Sequence, residues 1–402
     1  MIFLKKLNDF LLYLLIFSAT FEYWDPFGIA GTITIARMVT VLYVMSSLPF
    51  FKQYLRFRFL KQYVVPLFFL VLAGIFSTIV NDIYVLDLIE IFNTRFIQLA
   101  LLMVLITAHT VTNKTVLQNA LKVYVLSLLI TALLLMAGVG ITYHSGRLFL
   151  FGENANLTGF KSVLAILIVI GGVAGQKVSL KKWVLSILLI LPLLMLLIAS
   201  ASRGALLSLF LGLFFMLVLL KVKVVKKIVL IAVGLFFSIY FINYIMVNDR
   251  DFAKRIESTI KNAETGGRTK LWESAERVIQ DNFIFGVGHS GVNPAMLKYG
   301  QKAELPHNIF LEIWLTSGIL GVFFFSLFLW RIAKKLWDRY RQTGQVLGLV
   351  LFLVILANLS KSGGAIGIIF AWIFFALLIA STTQIEEISS NIYEKKGVNE
   401  RL

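Results

Sequence analysis

The sequence predicts an all-α polytopic integral membrane protein with about 12 transmembrane helices. Composition is the first reason: 59% of residues are hydrophobic and 15% charged, where soluble domains carry about 45–50% and about 25%. The second is a mean hydropathy of +0.86. The third is recurrence, because apolar runs of about 20 residues, the length that crosses a bilayer, follow one another from end to end. Length alone would suggest two or three soluble domains, but the membrane class overrides that prior, so 1–402 reads as a single membrane domain.

Apolar windows place spans near 9–24, 32–50, 63–80, 96–111, 116–137, 157–175, 183–200, 204–220, 228–247, 309–330, 346–360 and 364–381. Lys5 and Lys6 before "FLLYLLIFSAT" look like a leader peptide. No small-x-small cleavage site follows, and "FEYWDPF" reads as an aromatic interface belt, so this stretch is expected to be the first span.

A formal net charge of +17 raises the question of nucleic acid. The basic residues are divided among short loops rather than gathered on one face, which excludes that class and points to the positive-inside rule. Placing the N-terminus inside makes "KQYLRFRFLKQ", "QKVSLKK", "KVKVVKK", "RIAKKLWDRYR" and the tail cytoplasmic. The opposite short loops hold little beyond Arg95, Arg147, Arg203 and Lys361. The expected topology is therefore N-in/C-in, with the long loop 248–306 outside. In that loop Phe252, Ile256 and Ile260 fall four apart, and Leu271, Trp272, Ala275, Val278 and Ile279 share one face. Both stretches predict amphipathic helices over the outer membrane surface. "TGGR" breaks them, and "GVGHSGVNP" is a Gly-rich turn.

Function is expected where polar residues stay on the outer face. Arg203 stands in the tight turn "SASRGALL", Arg147 in "HSGRLFLFGENANLTG", and Arg268 after two glycines. Guanidinium is a planar, permanently charged fork suited to the oxygens of a diphosphate. The bland alternative is an arginine that only anchors a helix end. His307, one of 4 His, emerges at the start of the tenth span, with Pro306 before it and Asn308 placed to cap. A neutral imidazole there is suited to act as a base, and both the helix N-terminus and nearby arginines oppose its protonation. A loop hydrogen bond is the alternative. His289 is the second candidate base, and Glu312 is a carboxylate inside a span, where such groups are costly and often functional. His109 reads as structural. Asp249-x-Asp251 is a solvated border. No His/Asp/Glu cluster has metal spacing, and the absence of Cys excludes disulfides and thiolate sites. No metal or cofactor is expected.

"PHNIFLEIWLTSGILG" resembles the His-Asn, nine-residue gap, Gly-x-x-Gly signature of the O-antigen ligase and polymerase family, filled here by His307, Asn308, Gly318 and Gly321. "SRGALL" resembles that family's Ser-Arg-Gly turn, with its arginine at Arg203. "GGRTKLWESAERVIQDNFIFGVGHSG" resembles its Gly-Arg, Trp, Gly-x-Gly segment, with the second arginine at Arg268. "GRLFLFGENANLTG" is similar, more loosely, to an upstream Gly-Arg-then-Asn segment, giving Arg147 and Asn156. The resemblance covers about 140–325, and His289 departs from it.

The resemblance implies a metal-independent inverting glycosyltransferase in the bacterial cytoplasmic membrane, with its active site on the extracytoplasmic face. The implied donor is an oligosaccharide on undecaprenyl pyrophosphate, and the acceptor a glycan or lipid core, in the company of membrane lipids and other polysaccharide-assembly proteins. His307 is implied as base, Arg203 and Arg268 as diphosphate ligands, and Arg147, Asn156, Asn308, Glu312 and His289 as substrate-binding. Ligase and polymerase share these motifs, so the residues do not separate them. The alternative class is a 12-span secondary transporter or lipid-linked sugar flippase. Such carriers show related halves and midplane charges, and this sequence shows neither.

Overall fold

In the computed structural model the described residues are 2–28, 33–54, 57–81, 95–144, 147–174, 178–221, 227, 268–300, 304–361 and 367–383. The ninth span expected at 228–247, the first loop helix expected at 252–260 and the C-terminal tail lie outside them.

The described elements are α1 (Ile2–Ser18), α2 (Ile35–Ser47), α3 (Lys61–Val80), α4 (Arg95–Val111), α5 (Lys114–Met136), strands β1 (Ile141–His144), β2 (Arg147–Leu150) and β3 (Glu153–Asn154), then α6 (Ala155–Gly171), α7 (Leu180–Ala199), α8 (Arg203–Leu219), α9 (Arg268–Asp281), α10 (Val292–Tyr299), α11 (Ile309–Thr343), α12 (Leu347–Leu359) and α13 (Ile369–Thr383). The protein is mostly helical. Among the described residues, five helical segments have the length and apolarity to cross a membrane, Ile35–Tyr54, Arg58–Val80, α5, α7 and α11, and five shorter apolar helices join them. The lipid-facing character is visible on α7, where Leu180, Trp183, Leu185, Leu188 and Leu191 are all exposed.

Helix starts follow local chemistry. Orphan N–H groups at a helix N-terminus are capped by the side-chain oxygens of Thr34 (α2), Asn154 (α6), Ser179 (α7) and Ser202 (α8).

The chain forms two compact units, each threaded from three stretches: Met1–Pro49, Thr115–Glu264 and Tyr340–Val354 in the first, Phe50–Lys114, Thr265–Arg339 and Ile355–Leu402 in the second. In the first unit α6 is central, with every residue from Leu157 to Ile168 buried. A buried polar cluster fastens it. Lys161 forms an ion pair with Glu153 and donates to the Ala19 carbonyl at 2.8 Å, while Tyr124 donates to the Lys161 carbonyl at 2.9 Å. Such a buried pair is tolerable only because both partners are satisfied. Small residues bring backbones close, as membrane packing requires: a Cβ on Gly159 would meet the Ser200 hydroxyl at 2.4 Å. The three strands form an antiparallel sheet in the order β1-β2-β3, with Ile141 opposite Leu150 and Phe149 opposite Asn154. The "FEYWDPF" aromatics partly serve this sheet, since Phe151 packs on Phe21 and Trp24 at ring separations of 5.2 and 4.9 Å.

The second unit is organised by a break in α11. At Gly318 the backbone leaves the helix, with φ 64° and ψ −166°. The lost helical pairing is replaced from outside. The Leu315 carbonyl accepts from Val287 N–H at 2.7 Å, and Ile319 N–H donates to the Phe283 carbonyl at 3.2 Å. The inserted turn is held on its other side by α3, where Asn81 donates to the Gly286 carbonyl at 3.1 Å and Ser77 accepts from Gly288 N–H at 2.9 Å. Gly321, one turn beyond the break, lies against Ser317 and Leu70 of α3.

The amphipathic periodicity of α9 is correct, but its apolar face meets protein and not the membrane surface. Ala275, Val278 and Ile279 form a core with Val287, Val292, Met296 and Leu315. The nearby turn offers that face a dry partner.

Gly318 and Gly286 both occupy the left-handed region, and a Cβ would lie 2.0 Å from the Ile284 carbonyl at the first and 2.5 Å from the Leu315 carbonyl at the second. Gly318→Ala is expected to lower stability by about 3 kcal/mol or more, from backbone strain plus overpacking. Gly204→Ala, where nothing lies within 4 Å, is expected to change it by less than about 1 kcal/mol. Thermal unfolding of the detergent-solubilised protein measures both, and equal midpoints for the two variants would refute the role assigned to the break.

Candidate functional site

The second unit brings together part of the predicted site. Pro306, His307 and Asn308 form a lip at the start of α11. Asn308 caps the helix as expected, its side-chain oxygen accepting from the N–H groups of Phe310 at 3.0 Å and Leu311 at 3.5 Å. His307 takes φ 53°, a left-handed conformation rare for a residue with a Cβ and costing on the order of 1–3 kcal/mol. That conformation persists because the lip is fixed on both sides. After it comes the capped helix; before it the Pro306 carbonyl accepts from the indole N–H of Trp272 at 2.7 Å.

Trp272 lies one turn along α9 from Arg268, so the helix that anchors the lip also delivers the guanidinium. The two predicted groups feel each other. His307 is held below its ordinary value, first by burial of part of the ring and then by the Arg268 charge, with Glu304 opposing. The residue as a whole nevertheless remains exposed.

One residue was missed by sequence reasoning. Lys361, on the turn after α12, is pushed down to about 8 by burial and by the charge of the same Arg268. The Arg268 charge thus acts on both His307 and Lys361. The signal was present, because Lys361 was among the few basic residues of the short outer loops. Nothing local in the sequence tied it to Arg268.

The remaining candidates divide. Glu312 is buried in the first turn of α11, an environment that suits supporting the lip better than meeting a bulky sugar. His289 is exposed at the end of the inserted turn, and its carbonyl receives the Val292 N–H at 3.4 Å. His109 is buried and stacks on Tyr54 with ring centres 5.9 Å apart, which fits the structural reading.

Arg203, Arg147 and Asn156 belong to the first unit. Arg203 opens α8 after a turn in which Ala201 has φ 45° and Ser202 caps the helix. The Ser202 hydroxyl also donates to the Asn156 side-chain oxygen at 3.1 Å. Asn156 therefore supports the turn that aims Arg203, a positioning contact that the sequence did not reveal. Arg147 opens β2, opposite His144 in the register. Among the described residues no three His, Asp or Glu side chains are grouped to hold a metal ion.

Residues 187–326, about a third of the chain, match the family model described as O-antigen ligase. The match takes in Arg203, Arg268, His289, His307, Asn308 and Glu312, and leaves Arg147 and Asn156 outside. No curated protein matches the chain.

The electrostatics predict a titration. With 4 His in the chain, the His307 resonance is assignable by comparison with His307→Gln. Its midpoint is expected below 6.5, so the base form extends to lower pH than for a free histidine. Arg268→Gln is expected to move the midpoint up, and Glu304→Gln to move it down. A midpoint unmoved by Arg268→Gln would contradict the pairing.

Proposed function

We propose, from the match of residues 187–326 to the O-antigen ligase family model, that the protein is a multi-pass transferase of bacterial surface-polysaccharide assembly. Its donor is an oligosaccharide on undecaprenyl pyrophosphate and its acceptor a sugar hydroxyl. The reading includes the full count of about twelve spans with both termini inside the cytoplasmic membrane and the lip facing out. What supports that orientation is the basic run 331–341 at the far end of α11 from His307.

The observation that carries the proposal is His307, strained, exposed and held neutral beside Arg268. In the proposed reaction His307 takes the proton of the acceptor hydroxyl as its oxygen attacks the anomeric carbon. The bond from that carbon to the diphosphate oxygen breaks, and configuration inverts. The departing diphosphate gains negative charge, which Arg268 and Lys361 stabilise; Arg203 is assigned to the diphosphate by the family resemblance alone. No metal is assigned a role, since these cations supply the charge at the leaving group. Asn156 steadies Arg203 through Ser202, and Asn308 and Glu312 steady the lip. Arg147 and His289 are assigned to the bound glycan.

The test is transfer by purified protein in lipid, with a lipid-linked pyrophosphoryl oligosaccharide as donor. His307→Ala is expected to lose about 10²–10⁴ in rate, and Arg268→Ala and Arg203→Ala each about 10²–10³. A product ladder from donor alone identifies a polymerase, and transfer only after a lipid-core acceptor is added identifies a ligase. Folded wild type that binds donor and transfers to neither would overturn the proposal and favour a carrier.

A further inference from the structure

At the far end of α11 the apolar run stops at Trp330 and a basic stripe begins. Arg331, Lys334, Lys335 and Asp338 follow at spacings that keep them on one side of the helix. Together with Trp330 and with Gln62 at the start of α3, they line a cavity of about 440 Å³, within the ~300–1,000 Å³ range of ligand sites. The cavity is built rather than incidental. The Arg331 guanidinium donates to the Gln62 main-chain carbonyl, joining the two helices at its floor. The Lys334 ammonium stands 5.3 Å from the Trp330 ring centre, which holds that long side chain over the opening. Three cations face one carboxylate, so the lining carries an excess of two positive charges.

We propose that this cavity binds the phosphate headgroup of an anionic membrane lipid. The charge selects an anion, and the surroundings select a lipid over free phosphate. Trp330 is 57% exposed at the point where polarity changes, as interfacial tryptophans are. Phe323, two turns back along the same face of α11, and Val65 and Phe68 of α3 are also exposed, providing apolar surface for acyl chains beside the basic pocket. Basic pockets between spans on the positive side of a membrane hold anionic headgroups by this combination. The site stands apart from the lip and does not depend on the transferase reading.

The experiment measures lipid retained by the full-length protein in detergent, using phosphatidylglycerol, phosphatidylcholine and inorganic phosphate as probes. Wild type is expected to retain phosphatidylglycerol over phosphatidylcholine, and millimolar phosphate is expected not to displace it. Each charge removed is expected to weaken retention about fivefold, from ~1 kcal/mol per basic residue. Lys334→Gln alone, at an exposed position, guards against misfolding, and Lys334→Gln with Lys335→Gln should give roughly a twenty-fivefold loss. Asp338→Asn should tighten retention. Equal retention by wild type and the double variant, equal retention of the two lipids, or ready displacement by phosphate would each overturn the proposal.

Discussion

A backbone amide without a partner costs several kcal/mol in hydrocarbon, and the second unit is arranged around one place where a helix gives up its own pairing. At Gly318 α11 exchanges its internal bond between Ile319 and Leu315 for two bonds to the 283–287 turn. The exchange needs a turn that fits against the helix without side chains in the way, which Gly286 and Gly318 allow. It also needs that turn to stay in place, which Ser77 and Asn81 of α3 ensure. Once the turn is fixed, α9 has a surface on which to bury Ala275, Val278 and Ile279. Position is thereby passed from a broken helix to a second helix, and through Trp272 back to the lip of the first.

The proposed chemistry depends on that closed circuit. His307 is kept in an unfavourable backbone conformation by neighbours that cannot relax independently, which is how strain persists at working sites. Arg268, proposed to meet the diphosphate, also opposes protonation of His307, so one charge serves both halves of the proposed reaction. Arg268 is central because both His307 and Lys361 respond to its charge. Arg203 is prepared differently, by a tight turn, a serine cap and the Asn156 contact.

Features governed by neighbours in sequence were legible beforehand. The mostly helical, apolar character, the Asn308 cap and the apolar stripe of α9 depend on composition, one side chain and a helical period. Features that depend on distant partners were not. Gly318 could be noticed as part of a motif, but its reason lies in the Ile284 carbonyl, which no local pattern indicates. The stripe of α9 could not disclose whether lipid or protein would cover it. The strands around Arg147 are four residues or fewer, too short for alternation to register. Lys361 joins Arg268 only after α11 and α12 have returned the chain to that helix, and Asn156 gained its meaning only when Ser202 came within reach.

The central claim is that α9 and the lip keep position 307 within reach of the Arg268 charge. Since the chain contains no cysteine, paired substitutions provide a clean measure in native membranes. Arg268→Cys with His307→Cys, treated with a short bifunctional thiol reagent, should crosslink as readily as Asp281→Cys with Tyr299→Cys, a pair whose side chains are hydrogen-bonded between α9 and α10. Efficient linkage of both pairs is the result this account predicts. Linkage of the control pair alone would contradict it.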